Sequence, residues 1–332
     1  MTEPRALRLY SDQAGYRACL EPQPRPTPQP NEVLIEVDYS SVNYKDALAA
    51  TGQAPVVKTF PLIGGIDAAG TVIESRHPDF QPGMAVIATG WGLGFDHDGG
   101  YAQWLCVPGE WLQPVPAGME TRTAMIYGTA GLTAALALER MFDNGQTPDL
   151  GPIVVTGASG GVGSLAVAML SRLGFEVAAV SGKPACHDWL KTLGATQILG
   201  RDALPGGERP LERAVWGGAV DTVGGAVLAR LTRTVVPNGN IAAIGLAGGA
   251  ELNTTVMPFI LRGVSLLGCD SVMIPNARRA RLWQHLAADW RPENLDQLLS
   301  TTVTLDGLLE VFAPMLAGQQ HGRILVAINQ PM

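Results

Sequence analysis

The chain has 332 residues, a net charge of −7, 46% hydrophobic and 16% charged residues. That is length for about two domains and a composition too apolar for disorder. No Lys/Arg-rich run interrupts the acidic balance, which argues against a nucleic-acid surface, since that needs clustered positive charge. Glycine is the outlier: 18 of the 40 glycines fall in residues 90–100, 151–163, 217–225 and 239–249, marking places where backbone turns tightly or approaches something closely.

In chain order, residues 5–11 read as a short strand. Prolines 22, 24, 26, 28 and 30 then form an extended connector. A strand is expected over 33–37, and further short strands over 62–74, 83–88 and 101–107, with Gly/Pro breaks between them. This punctuation predicts a compact, barrel-like β domain over the first 115 or so residues. Near Met119 the texture changes. A helical apolar pattern covers 121–142 and a linker follows at 147–150. Strands are then expected at 152–156, 175–181, 196–199, 219–223, 240–245 and 263–269, with helices at 161–173, 184–193 and 225–234. Alternation of this kind indicates a parallel, doubly wound sheet. Helices at 276–289 and 306–317 and strands at 301–304 and 323–328 complete the tail.

The uncharged run Leu150–Ser171 is long enough to span a bilayer, but five glycines and Pro152 break it. The N-terminal stretch Met1–Arg5 lacks the apolar core of a signal peptide, so a cytoplasmic protein without a membrane partner is expected. The four cysteines, at 19, 106, 186 and 269, lack metal-ligand spacing.

The strongest local signal is Ile153-Val154-Val155-Thr156-Gly157-Ala158-Ser159-Gly160-Gly161-Val162-Gly163-Ser164. Aligned with G-x-G-x-x-G, Ala158 replaces the first glycine. Gly160 and Gly163 fall where backbone must approach a pyrophosphate and where helix must pack closely on strand. An apolar strand precedes the turn and an apolar helix follows, as a dinucleotide site requires. An NAD site needs an acid at the end of the second strand for the ribose 2′-OH. Here that strand ends Val180-Ser181-Gly182-Lys183. A hydroxyl and a cation suit a 2′-phosphate, and Arg201 can add a second cation, so NADPH is the expected cofactor.

Further motifs run along the chain: Ser40-Ser41-Val42-Asn43-Tyr44-Lys45-Asp46, Gly90-Trp91-Gly92, Gly128-Thr129-Ala130-Gly131, Asp221-Thr222-Val223-Gly224, Gly245–Gly249, Pro258–Arg262 and Asp270-Ser271-Val272. With the order β domain, dinucleotide domain and returning tail, they resemble the medium-chain dehydrogenase/reductase superfamily, in its zinc-free quinone oxidoreductase branch. Within that branch the chain is similar to the NADPH-dependent acryloyl-CoA reductases. The resemblance implies a Rossmann domain (128–272) inserted into a GroES-like, β-barrel-like catalytic domain (1–127 plus 273–332), with an active site in the cleft. Zinc relatives carry a histidine ligand where this chain has Ile66, and Asn43 lies in the region of their cysteine ligand. An aliphatic side chain cannot coordinate zinc, so no metal is expected.

Carried onto matching positions, the resemblance places Tyr44 beside the nicotinamide. It places Ser159, Gly160, Gly161 and Val162 at the pyrophosphate, and Ser181, Gly182, Lys183 and Arg201 at the 2′-phosphate. Leu246, Ile260 and Ser271 would line the nicotinamide side. Lys183 departs from the arginine common in relatives, and no ligand is assigned at Ala317. The expected reaction is reduction of the C=C bond of an α,β-unsaturated acyl thioester, acryloyl-CoA to propionyl-CoA. Charge then develops on the thioester oxygen, Tyr44 serves as proton donor or orienter, Asn43 donates a hydrogen bond, and Asp67 with Asp46 fixes the geometry. Arg262, Arg278, Arg279 and Arg281 are candidates for the CoA phosphates; the last three also suit a solvated helix face. A homodimer through residues 263–269 is implied. Two alternatives stay open: a broad NADPH:quinone oxidoreductase, and a non-catalytic nucleotide- or RNA-binding protein.

Overall fold

A computed structural model describes residues 3–13 and 15–329; the outermost residues of the expected front domain, 1–2 and 330–332, lie outside these. The elements run β1 (Arg5–Asp12), β2 (Gly15–Pro22), β3 (Glu32–Val42), α1 (Tyr44–Thr51), β4 (Leu62–Ile63), β5 (Asp67–Ser75), β6 (Ala85–Thr89), β7 (Trp104–Pro108) and β8 (Leu112–Pro114). Helix α2 (Thr121–Asp143) follows, broken at Gly128. Next come β9 (Ile153–Val155), α3 (Gly161–Arg172), β10 (Val177–Val180), α4 (His187–Thr192), β11 (Gln197–Leu199), β12 (Trp216–Asp221), α5 (Gly225–Thr234), β13 (Val235–Ala243), α6 (Met257–Arg262) and β14 (Ser265–Gly268). The tail is α7 (Asn276–Ala287), β15 (Leu299–Thr304), α8 (Leu308–Leu316) and β16 (Arg323–Ala327).

Contacts divide the chain into two units: Met1–Thr129 with Val272–Ala287 and Leu299–Met332, and Ala130–Ser271 with Ala288–Leu298. In the first, a seven-stranded sheet runs β15-β16-β3-β5-β6-β8, with β7 also on β3, and a three-stranded sheet runs β2-β1-β4. Its larger cores include one around Leu7, Leu9, Tyr101 and Phe312 and one around Val33, Ile35, Val72 and Leu105. The second unit is a parallel sheet in the order β11-β10-β9-β12-β13-β14. Numbered from β9, that is 3-2-1-4-5-6, the doubly wound order whose direction reverses between β9 and β12. Val154, Ala178, Trp216 and Ile241 belong to its core.

The β-rich front and the alternating sheet match the sequence expectation; several elements do not. β2 pairs antiparallel with the whole of β1 where no strand was expected. The expected strand 62–74 is two strands, parted by Gly64 and Gly65; Gly65 has φ +97 and a Cβ there would lie 2.7 Å from Tyr101 N. α1 was legible only as a motif. Its C-cap Gly52 takes the left-handed conformation (φ 68°), where glycine carries no Cβ penalty. The expected helix 184–193 begins as a 3-10 turn, with the α-helical part confined to His187–Thr192. α6 is the other helix not expected.

Candidate active site and nucleotide cradle

In the first unit, β3 ends at Val42 and Asn43 caps α1, so the chain delivers Tyr44 at the first helical position. Asp46, one turn into α1, reaches back to accept the Asn43 backbone N–H at 2.9 Å, half of a capping box. It also accepts the Ile66 N–H at 2.9 Å. Asp67 opens β5, and its carboxylate accepts the Ser41 hydroxyl at 2.6 Å and the Asn43 Nδ2 at 2.7 Å. It further accepts the Thr129 N–H at 2.9 Å and the Thr129 hydroxyl at 2.6 Å. From β16, Arg323 donates to Asn43 Oδ1 (3.2 Å), Ser41 Oγ (2.7 Å), Val42 O (3.3 Å) and Ile126 O (2.9 Å). Ser41, Asn43, Asp46, Asp67 and Arg323 are all buried.

The electrostatics follow from two carboxylates sharing one guanidinium out of water. Burial, and secondarily the charge of Asp67, pushes the Asp46 carboxyl up to about 7. Burial also drives the Tyr101 hydroxyl well above its ordinary range; that hydroxyl donates to Ser41 O at 3.2 Å. Burial pulls Arg323 down while Asp67 and Asp46 pull it up, and the guanidinium stays charged.

The structure therefore brings Asn43 and Asp67 together but makes them supports. Both Asn43 amide hydrogens are taken, by Asp67 at 2.7 Å and Asp46 at 3.1 Å, so the expected donation to substrate or cofactor is not available. Tyr44 is different. It is 49% exposed, the one aromatic that this buried frame presents outward. Arg323 and Thr129 were missed as site residues. A signal existed: Arg323 is a lone cation opening an otherwise apolar strand, and Thr129 sits in the quoted Gly128–Gly131 motif. Ile66, where zinc relatives carry a histidine, is buried. Among the described residues no group of three or more His, Cys, Asp or Glu could hold a metal ion.

In the second unit, the turn after β9 is built for close backbone approach. A Cβ at Gly163 would lie 2.4 Å from Gly157 O, and one at Gly157 (φ +57) 2.3 Å from Thr222 Oγ1. These glycines let α3 pack onto the turn. Thr156 donates to Asp221 at 2.6 Å, and Thr222 returns a bond to Thr156 O at 2.9 Å, locking the ends of β9 and β12 together. Asp221, its carboxyl raised by burial, also accepts the Gly224 N–H at 2.7 Å. Gly160 caps α3 without a side-chain bond, so the first-turn N–H groups are open to an anion. Ser159 and Ser181 join at 3.2 Å, and Ser181 Oγ accepts the Lys183 N–H at 3.2 Å. Arg201 folds over Gly182, where a Cβ would lie 2.6 Å from Nε. Burial, and then the neighbouring Arg201, pull Lys183 below the usual lysine range. Two cations thus gather beside a hydroxyl at the end of β10.

The register Ala243↔Gly268 sends Leu246 and Ser271 out on loops from the same edge of the sheet. Leu246 is 69% exposed, and Ser271 receives the Thr133 hydroxyl at 2.7 Å. Ile260 is exposed on α6, in the connection between β13 and β14. Two of the candidate phosphate arginines are occupied. Arg262 donates to the Arg233, Val235 and Glu212 carbonyls. Arg279 is buried, donating to Thr89 O at 2.9 Å and Val272 O at 3.0 Å, so it belongs to no solvated face.

Residues 29–117 match the model of the alcohol dehydrogenase GroES-like domain, and residues 161–288 that of the zinc-binding dehydrogenases. The acrylyl-CoA reductase AcuI of Ruegeria pomeroyi is 49% identical over 299 residues, 90% of each chain. The YhdH oxidoreductase of Salmonella enterica, solved in complex with NADP, superposes with a TM-score of 0.94 at 47% identity, over 98% of this chain and 100% of that one. The Bacillus subtilis protein YhfP, solved with NAD bound, gives 0.93 at 41% identity over 98% and 100%.

Proposed function

The chain belongs to the medium-chain dehydrogenase/reductase superfamily, and from that premise we propose that it is an NADPH-dependent reductase of the C=C bond of acryloyl-CoA. The observation that carries this reading is the 49% identity, over nine-tenths of both chains, to the Ruegeria acrylyl-CoA reductase.

The second unit fits NADPH. The uncapped first turn of α3, with Ser159, Gly160, Gly161 and Val162, suits the pyrophosphate. Ser181, Gly182, Lys183 and Arg201 suit the 2′-phosphate, with no acid in the turn to repel it. Leu246 and Ser271 leave the edge where such sheets hold the nicotinamide. NADPH when bound supplies a hydride. The remaining chemistry falls to the protein. Tyr44, whose hydroxyl has no hydrogen-bond partner among the described residues, would donate the proton that completes saturation at the α-carbon. Asn43, Asp46, Asp67 and Thr129 hold it there without touching substrate.

Residues 1–127 with 273–332 would form the catalytic domain and 128–272 the NADPH domain, save that Ala288–Leu298 groups with the second unit. We place the protein in the cytoplasm: its four cysteines are free thiols, as a reducing compartment keeps them, and among the described residues no helix is long and apolar enough to cross a membrane. A homodimer would form by pairing of the edge strand β14 across a two-fold axis, beside the exposed Val256, Ile260 and Leu261. Light scattering at micromolar concentration reads that mass directly. Turnover of NADPH on acryloyl-CoA, with propionyl-CoA as product, tests the function.

A further inference from the structure

We infer that Arg323 is a positioning residue for the reaction: from the last strand it fixes the β3–α1 junction and, through Asn43, the orientation of Tyr44. The inference rests on the role proposed for Tyr44.

Arg323 is 2% exposed, far from Tyr44 in sequence, and at the start of β16. Three of the four hydrogen bonds its guanidinium donates fall on three consecutive residues, Ser41 Oγ, Val42 O and Asn43 Oδ1, at 2.7, 3.3 and 3.2 Å. Those residues immediately precede Tyr44. The fourth, Nε to Ile126 O at 2.9 Å, ties the same guanidinium to α2, two residues before its break at Gly128. A planar fork with fixed donor directions can satisfy such a set; a lysine ammonium cannot reach all of it.

The contact to Asn43 also sets polarity. The cation lies on the Oδ1 side, so Nδ2 must face the Asp67 and Asp46 carboxylates, as observed at 2.7 and 3.1 Å. Turned over, the amide would set its oxygen against two carboxylates and its hydrogens against a guanidinium. Arg323 thereby selects one amide orientation, and with it the capping geometry from which α1 starts. The site tolerates no bulk: a Cβ at Gly128 would lie 3.0 Å from Arg323 Nη2, 2.6 Å from Ser41 Oγ and 2.5 Å from Asp67 Oδ2.

The test uses the full chain carrying Arg323→Lys, which keeps the charge and loses the fork, and Ser41→Ala as a milder second variant should the first fold poorly. Hydrogen exchange is followed by mass spectrometry, NADPH affinity by fluorescence, and kcat on acryloyl-CoA in the presence and absence of Tyr44→Phe. Expected for Arg323→Lys is exchange at least tenfold faster in residues 40–51 with other segments within twofold. NADPH Kd should stay within twofold and kcat fall at least tenfold, a fall that disappears in the Tyr44→Phe background. Ser41→Ala should loosen the same segment to a smaller degree. Unchanged exchange in 40–51, or a uniform rise across the first unit, overturns the inference. So does a raised NADPH Kd with kcat unchanged, which would make Arg323 a cofactor contact. Faster exchange in 40–51 with kcat preserved overturns it too, since the clamp would then not serve the reaction; Tyr44→Phe alone, with full kcat, would instead remove the role proposed for Tyr44.

Discussion

Thr129 gives both its backbone N–H and its hydroxyl to Asp67, at 2.9 and 2.6 Å to the same oxygen. The contact exists because α2 is broken one residue earlier, at Gly128 (φ 51°, ψ −154°). The restarted helix presents its positive N-terminal end to the carboxylate. A helix without the break would bond the Thr129 N–H internally, and Asp67 would lose two of its donors.

Gly128→Ala should therefore be costly. The conformation is one that L side chains avoid, and the added carbon would sit 2.5 Å from Asp67 Oδ2. A loss of about 2–3 kcal/mol is expected, read as a lower urea midpoint with an unchanged m-value.

Asp46 predicts a pH dependence of stability. Its folded pKa, about 7, lies above its unfolded value. Between the two, the folded state holds a proton that the unfolded state has released. The stability of the wild type relative to Asp46→Asn should fall as pH rises from 5 to 7, by about 1 kcal/mol per unit, and level off above 7. Urea titrations at four pH values check this; a difference that does not vary with pH would show that Asp46 ionises normally in the fold.

If Lys183 and Arg201 hold the 2′-phosphate as proposed, Lys183→Ala and Arg201→Ala should each weaken NADPH binding about tenfold while leaving NADH within twofold, each losing one charge-assisted contact. Lys183→Arg should tighten NADPH by adding a bidentate donor. Fluorescence titration with both cofactors is the measurement. Equal losses for NADH would place these cations elsewhere on the dinucleotide.

Tyr44→Phe should lower kcat on acryloyl-CoA on the order of a hundredfold, with NADPH affinity unchanged. Because the side chain is half exposed and buries little, its unfolding midpoint should stay near wild type. A Tyr44→Phe enzyme with full kcat would assign the proton to another donor.

The residues differ in how legible they were, and for physical reasons. The glycine turn between β9 and α3 could be read from Ile153–Ser164 because strand, glycines and helix are contiguous. The turn proposed for the 2′-phosphate rests on a signal equally local, the absence of an acid at Val180–Lys183. The frame under Tyr44 could not be read the same way. Ser41, Asp67, Thr129 and Arg323 come from four distant segments; the pairing of β3 with β5 and β16 brings three of them together, and Thr129 joins them from α2. Asn43 looked like a free donor until those neighbours used both its hydrogens. Arg279 misled for the opposite reason: on a helix rich in arginine it reads as solvated, yet it is buried against the Thr89 carbonyl at 2.9 Å. β2 escaped notice because its burial is slight throughout, leaving little hydrophobic alternation.

Steady-state kcat/KM with NADPH on acryloyl-CoA, crotonyl-CoA, free acrylate and a small quinone separates enoyl-CoA reduction from quinone reduction. An acryloyl-CoA reductase should favour acryloyl-CoA over the quinone at least tenfold, with one propionyl-CoA formed per NADPH consumed. A quinone turned over as well as acryloyl-CoA, or no turnover of any enoyl substrate, would contradict the proposed function.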